Sequence, residues 1–150
     1  MASKATLALT ITVIIPTKNR CELIRELLNS LENLRGHTRI QPNIIVGDNA
    51  SADSTPKIVE MRKTSFPTEL ILLNVSSPGK SAVLNQAIRR STGEVLAFLD
   101  DDVVVDSSWL EEIENFFQSN RAHCVGQGRI RTGLGDSPDP EIRRLLQRYR

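Results

Sequence analysis

Apolar and polar positions alternate between two periods along the chain. The stretch "ITVIIP", 11–16, is short, β-branched and closed by Pro16, whereas Leu23, Ile24, Leu27, Leu28, Leu31 and Leu34 recur at helical spacing. This predicts a strand followed by a helix. "NIIVGDNAS" predicts a second strand running into a turn, with Ile58, Val59 and Met61 marking a short helix behind Pro56. "ELILLNV" is a third strand. After the turn "SSPGKS", Val83, Leu84, Ala87 and Ile88 mark a helix closing at Gly93, and "EVLAFL" is a fourth strand. Ser108 with Glu111 has the form of a capping box, and Trp109, Leu110, Ile113, Phe116 and Phe117 give the next helix an apolar face.

Beyond Gly126 the composition shifts to Gly, Asp, Pro and Ser, which predicts a mobile loop over 126–140 around a short strand near Gly128 to Thr132. "EIRRLLQRYR" then reads as a helix with Ile142, Leu145, Leu146 and Tyr149 on one side and arginines on the other. Such a basic face suits peripheral contact with a membrane surface, and a solvated helix face is the simpler reading.

Strand and helix alternating in this way predict an α/β fold, a three-layer α/β/α arrangement around a mostly parallel sheet. Ligands of such sheets bind at the carboxyl ends of the strands, near a switch in strand order. The segments expected there are "PTKNR", "GDNAS", "SSPGKS" and "DDD", four polar clusters far apart in sequence that one rim would gather.

Length and composition narrow the picture. The chain has 150 residues, 39% hydrophobic and 25% charged, which fits one domain over 1–150. A formal net charge of +1 leaves no global field for nucleic acid. Cys21 and Cys124 lack disulfide-scaffold or zinc spacing, so both are expected reduced and the chain cytoplasmic. His37 and His123 are isolated. The N-terminal "MASKATLALTITVIIP" has no small-residue cleavage site after it and falls short of the ~20 residues of a membrane span.

Asp100, Asp101 and Asp102 stand between two apolar runs, and three adjacent carboxylates require a balancing charge. They suit Mg²⁺ or Mn²⁺, which takes one or two carboxylates plus substrate phosphates. Alternation along the backbone would put Asp100 and Asp102 on one side and Asp101 on the other. A solvated acidic turn before a helix, with Asp106 at the dipole, accounts for them equally well. Asp48 ends the second strand, where an acid can accept from a base N–H or ribose hydroxyls; an Asx turn is the alternative. In "PGKS" the phosphate-loop pattern GxxxxGK[ST] fails for want of its first Gly, but Lys80 at a helix start can still meet a phosphate or an Asp.

Taken in order, "VIIPTKNR", "IIVGDNASADST", "GKSAVLNQAIRRSTGEVLAFLDDDV" and "WLEE" resemble the donor-binding half of the family 2 glycosyltransferases, which have the GT-A fold. The likeness runs from Thr12 to Phe117. It implies a nucleotide-diphosphate sugar, UDP-linked by preference, bound with Mg²⁺ or Mn²⁺. Through it, Pro16, Thr17 and Asn19 would line the base pocket and Asp48 would contact the base. Lys80 would approach donor phosphate or acid side chains. Asp102 would be the metal ligand, helped by Asp100, with Asp100 and Asp101 near ribose and sugar. Lys18 stands where the family often has an aromatic, and Gly47 replaces the first Asp of "DDGS".

The family's transfer reaction displaces the diphosphate at the anomeric carbon while a carboxylate base deprotonates the acceptor hydroxyl of a glycan, lipid or other acceptor. That base lies well C-terminal to the "DxD" region, and 48 residues follow Asp102, so it is expected outside this chain. Glu111, Glu112 and Glu114 fall on the helix after Ser108, and Asp136, Asp139 and Glu141 in or beside the Gly/Pro-rich loop. A nucleotide-sugar binding module without transfer activity is the alternative. A sugar nucleotidyltransferase would need a Gly-rich loop after the first strand, which "PTKNR" lacks.

Overall fold

The computed structural model describes residues 9–34, 40, 42–119 and 125–130. The chain divides into two compact units, Met1–Gln118 and Ser119–Arg150. In the first, four strands, β1 (Ile11–Thr17), β2 (Asn43–Asp48), β3 (Leu70–Asn74) and β4 (Val95–Phe98), alternate with α1 (Cys21–Glu32), α2 (Thr55–Arg62) and α3 (Lys80–Arg90), and α4 (Trp109–Ser119) follows. In the second, Val125–Ile130 carry neither helix nor strand. The strand expected near Gly128 to Thr132 is therefore not formed over its described part. The rest of the 126–140 loop, the helix over 141–150, Cys124 and both histidines lie outside the described residues.

The sheet order is β3-β2-β1-β4 and every pairing is parallel. Each strand of β1 to β3 steps outward from the last, and the chain then crosses back to place β4 on the far side of β1. The switch in order lies at β1. Being central, β1 is buried at all of its positions, which is why its apolar run shows no polar alternation.

Register explains the two apolar layers. Val13 and Ile15 pair with Ile44 and Val46, and this face packs with Ile24, Leu27, Leu28, Leu31, Ile58, Val59 and Leu110 from α1, α2 and α4. Ile14 aligns with Ile45, and Ile45 with Ile71; this second row meets Ala87 and Leu84 of α3. Gly47 belongs to that face: a Cβ there would overlap Val83 Cγ1, so the missing side chain lets α3 lie close to β2.

Met61 lies on α2 with Ile58 and Val59, but is 68% exposed where they are buried. Two expectations change. The third helix ends at Arg90 with Ser91 extended, and Gly93 has another role: its N–H donates to Thr12 Oγ1 (2.9 Å), and a Cβ there would lie 2.8 Å from Ile11 C. At α4 the Ser108 hydroxyl donates to Asp106 Oδ1 (2.8 Å), a short Asx-type turn before the helix. Among the described residues no helix is long and apolar enough to cross a membrane.

Candidate donor site at the carboxyl rim

The four strand ends meet on one rim, and β1 outruns its neighbour β4. Their ladder stops at Ile14 and Phe98, with one more bond from Leu99 N to Ile14 O (3.1 Å). Residues of a parallel strand bond alternately to either side; Ile14 bonds toward β4 and Thr17 toward β2, through Asn49 N to Thr17 O (2.9 Å). Pro16, in step with Ile14, faces β4 with no N–H to give. The ladder must end there, and β1 and β4 part at the switch point.

The segment after β4 turns at Asp101–Asp102. On either side of it Leu99, Val103 and Val105 pack against the core, while Val104 is exposed. The apolar anchors hold the acidic turn at the rim, which explains the order of residue types in "FLDDDVVV".

In the turn Asp100 and Asp102 are exposed, and the residue between them faces inward. Asp101 is the inward residue, 7% exposed, and accepts from Thr17 Oγ1 (2.8 Å). Arg20 Nη1 lies 3.3 Å from Asp101 Oδ1 and 3.5 Å from Asp102 Oδ2, so Asp101 and Asp102 share one guanidinium. Lys80 pairs with Asp100 across the rim. The balancing charges are thus Arg20 and Lys80. Of the two partners expected for Lys80, the acid is the one met within the chain itself.

Asp48 sits in register with Thr17 and is 2% exposed. Its Oδ2 accepts from Ser51 N (3.0 Å), the Asx turn; its Oδ1 is buried with no partner. An unpaired buried acceptor costs about 1–3 kcal/mol and is stabilised by an incoming N–H or O–H donor.

The loops after β1 and β2 are tied by side chains. Asn19 and Ala50 both adopt left-handed backbone, φ 52° and 53°. Successive N–H groups of Asn19, Arg20 and Cys21 donate to Ser51 Oγ (2.8 Å), Thr55 Oγ1 (3.1 Å) and Asp53 Oδ2 (3.1 Å). Asn19 Oδ1 accepts from Ala52 N (2.7 Å). Asn19 thus braces the two loops, while Lys18 is exposed. Asp53 also accepts from Thr55 N (2.9 Å), standing at the N-termini of α1 and α2. The Thr55 hydroxyl, ahead of the backbone N–H groups of Thr55 and Cys21, holds the Asp53 carboxyl below its ordinary value. Burial, then Asp53, pushes the thiol of the free Cys21 up from its ordinary value.

Asn49, 7% exposed, joins the third loop. Its Nδ2 donates to Val75 O (3.0 Å) and Ser77 O (2.7 Å), and its Oδ1 accepts from Gly79 N (3.0 Å). Gly79, at φ 98°, opens α3 in a conformation that favours glycine and sets Lys80 on the rim. Sequence reasoning passed over Arg20, Asn49, Asp53 and Thr55. Arg20 had one signal, an unanswered triple negative charge; the others are neighbours only once β1 and β2 are paired. Glu111, Glu112 and Glu114 lie on α4 as expected; Asp136, Asp139 and Glu141 lie outside the described residues.

The fit to a divalent cation rests on the donor set. Among the described residues no three His, Cys, Asp or Glu form a metal cluster. Asp102 is an exposed carboxylate held at 3.5 Å by one cation, with the exposed Asp100 two residues before it. A site of one or two carboxylates completed by substrate phosphate oxygens matches this; a closed protein cage does not.

Comparison with known proteins follows the same lines. The model of the family described as Glycosyl transferase family 2 matches residues 12–150. The glycosyltransferase AglE of Haloferax volcanii is 34% identical over 116 residues, 77% of this chain and 38% of AglE. The mannosyltransferase PcManGT of Pyrobaculum calidifontis, solved with GDP-Man and Mn²⁺, is 31% identical at TM-score 0.62, over 70% of this chain and 31% of that one. Staphylococcus aureus TarS 1-349, solved with UDP-GlcNAc, is 25% identical at TM-score 0.65, over 85% of this chain and 38% of that one. The chain thus spans well under half the length of these relatives.

Proposed function

The chain belongs to glycosyl transferase family 2, and from that premise we propose that its rim binds a nucleotide-diphosphate sugar, with a divalent cation, for transfer to a hydroxyl acceptor. The observation that carries this is the meeting of Thr17, Arg20, Asp48, Lys80 and Asp100–Asp102 where β1 and β4 part. Similar proteins solved with UDP-GlcNAc and with GDP-Man and Mn²⁺ support the reading. Asp48, with its orphan Oδ1, takes the base or ribose; UDP is favoured. Thr17 and Pro16 wall the base side, and Asn19 braces the loop that bounds it. Lys80 and Arg20 offer cations to the diphosphate. Mg²⁺ or Mn²⁺ held by Asp102, with Asp100 beside it, would offset charge on the departing diphosphate.

Glu111, Glu112 and Glu114 lie on α4, and the carboxylate base is expected C-terminal to them, which favours a second reading for the chain alone: donor binding without efficient transfer. We further propose a cytoplasmic location, where nucleotide sugars are at hand.

Calorimetric titration with UDP, GDP and their sugars, with and without Mn²⁺, tests the site. Asp102→Ala is expected to abolish the Mn²⁺-dependent part of binding and leave the melting temperature nearly unchanged, because the carboxylate is exposed. Equal affinity in variant and wild type overturns the metal assignment.

A further inference from the structure

Two cations balance the acidic turn in different ways. Lys80 and Asp100 are both well exposed, a flexible pair of small worth. Arg20 instead spans two carboxylates of unequal freedom. Asp101 is buried and anchored by Thr17 Oγ1, whereas Asp102 is more than half exposed and its contact lies at the outer limit of a hydrogen bond. At its other end Arg20 is fixed: its own N–H is taken by the buried Thr55 hydroxyl and the N–H groups on either side by Ser51 and Asp53. The backbone is pinned, and the guanidinium hangs from it over the carboxylate proposed to hold the cation.

We infer that Arg20 makes cation capture at Asp102 conditional on the nucleotide diphosphate. The inference rests on the donor-site reading above. Three carboxylates against Arg20 and Lys80 leave the turn with one net negative charge. A cation arriving alone must separate Asp102 from Arg20 and then lie beside a guanidinium of like sign. A diphosphate arriving alone must face the three carboxylates. Arriving together, the diphosphate and the cation offset each other's charge, the cation replaces Arg20 on Asp102, and Arg20 turns to the diphosphate without leaving the reach of Asp101. Arg20 is thus a positioning and coupling residue, and the coupling arises from charge already resident in the fold.

Mn²⁺ binding to the full chain, followed by electron paramagnetic resonance of the free ion with and without saturating UDP, tests this. Wild type is expected to bind Mn²⁺ weakly alone and far more tightly with UDP. Arg20→Gln is expected to bind Mn²⁺ alone about five- to tenfold more tightly, with the UDP-dependent gain reduced by a similar factor or more. A gain of binding is an outcome that structural damage does not produce. Arg20→Lys keeps the charge and is expected to keep most of the coupling; if it behaves as Gln, the charge account fails. If Arg20→Gln binds Mn²⁺ alone no better than wild type while UDP still promotes binding in wild type, the inference is overturned and the donor site stands. If wild type takes up no Mn²⁺ even with UDP or GDP, the donor-site reading itself falls, and the inference with it.

Discussion

Around Asn19–Cys21 the rim is held by directional hydrogen bonds between loops. Around Asp100–Asp102 it is held largely by ion pairs that face water. The first half uses short side chains, Ser51, Asp53, Thr55 and Asn49, to satisfy backbone groups of neighbouring loops, so few rotamers remain to be fixed when a ligand arrives. The second half uses Arg20 and Lys80, long side chains whose partners exchange at little cost in high dielectric. A rim built this way is preorganised where a base and ribose need shape and labile where a diphosphate and cation need charge. Asp101 joins the halves: it is bonded to Thr17 on the rigid side and paired with Arg20 on the mobile one.

The comparison breaks first at Asn49. Asn49→Ala strips partners from Val75 O, Ser77 O and Gly79 N together, and urea denaturation is expected to show a loss of about 3 kcal/mol. A loss below about 1 kcal/mol would mean that the rigid half does not depend on this hub.

Asp48 comes next and separates shape from stability. Asp48→Ala loses the turn bond to Ser51 but also removes an unpaired buried acceptor, so stability is expected to move little. Its UDP affinity should fall by about 2 kcal/mol and its pyrophosphate affinity hardly at all, as calorimetry would read. Equal losses for both ligands would confine Asp48 to the turn.

On the labile side Lys80→Ala is expected to change stability by less than about 0.5 kcal/mol, because both partners are exposed, yet to weaken pyrophosphate binding measurably. A large stability loss there would erase the contrast between the halves.

The smallest effect concerns acid. The Asp53 carboxyl titrates below its ordinary value of 3.8, chiefly through the Thr55 hydroxyl. Its contribution is therefore complete above that value and is lost as pH falls through the lower, folded value. Thr55→Val should lessen the acid sensitivity of the melting temperature below about pH 4; an unchanged profile would remove Asp53 from the brace.

The sequence by itself determined the elements and their order. Short β-branched apolar runs mark strands buried on both faces and period-3.6 patterns mark helices buried on one, so β1 to β4 and α1 to α4 were legible to within a few residues. Even the gathering of four polar loops on one rim follows from alternation of strand and helix. Tertiary structure decided the partners. That Arg20 answers Asp101 and Asp102 requires β1 beside β4, which the crossover from β3 establishes across 81 and 82 residues of chain. That Asn49 braces the Val75–Gly79 loop, that Gly47 admits Val83 and that Asp48 keeps one oxygen buried and unpaired are matters of distance between segments. The same is true of the helix that stops at Arg90: Gly93 looked like its terminator, but packing against Thr12 claimed it. Local pattern records which side of an element meets water, because every residue on it shares that environment. Which charge meets which is fixed only when the sheet closes, since a carboxylate binds whatever cation the fold brings within about 4 Å.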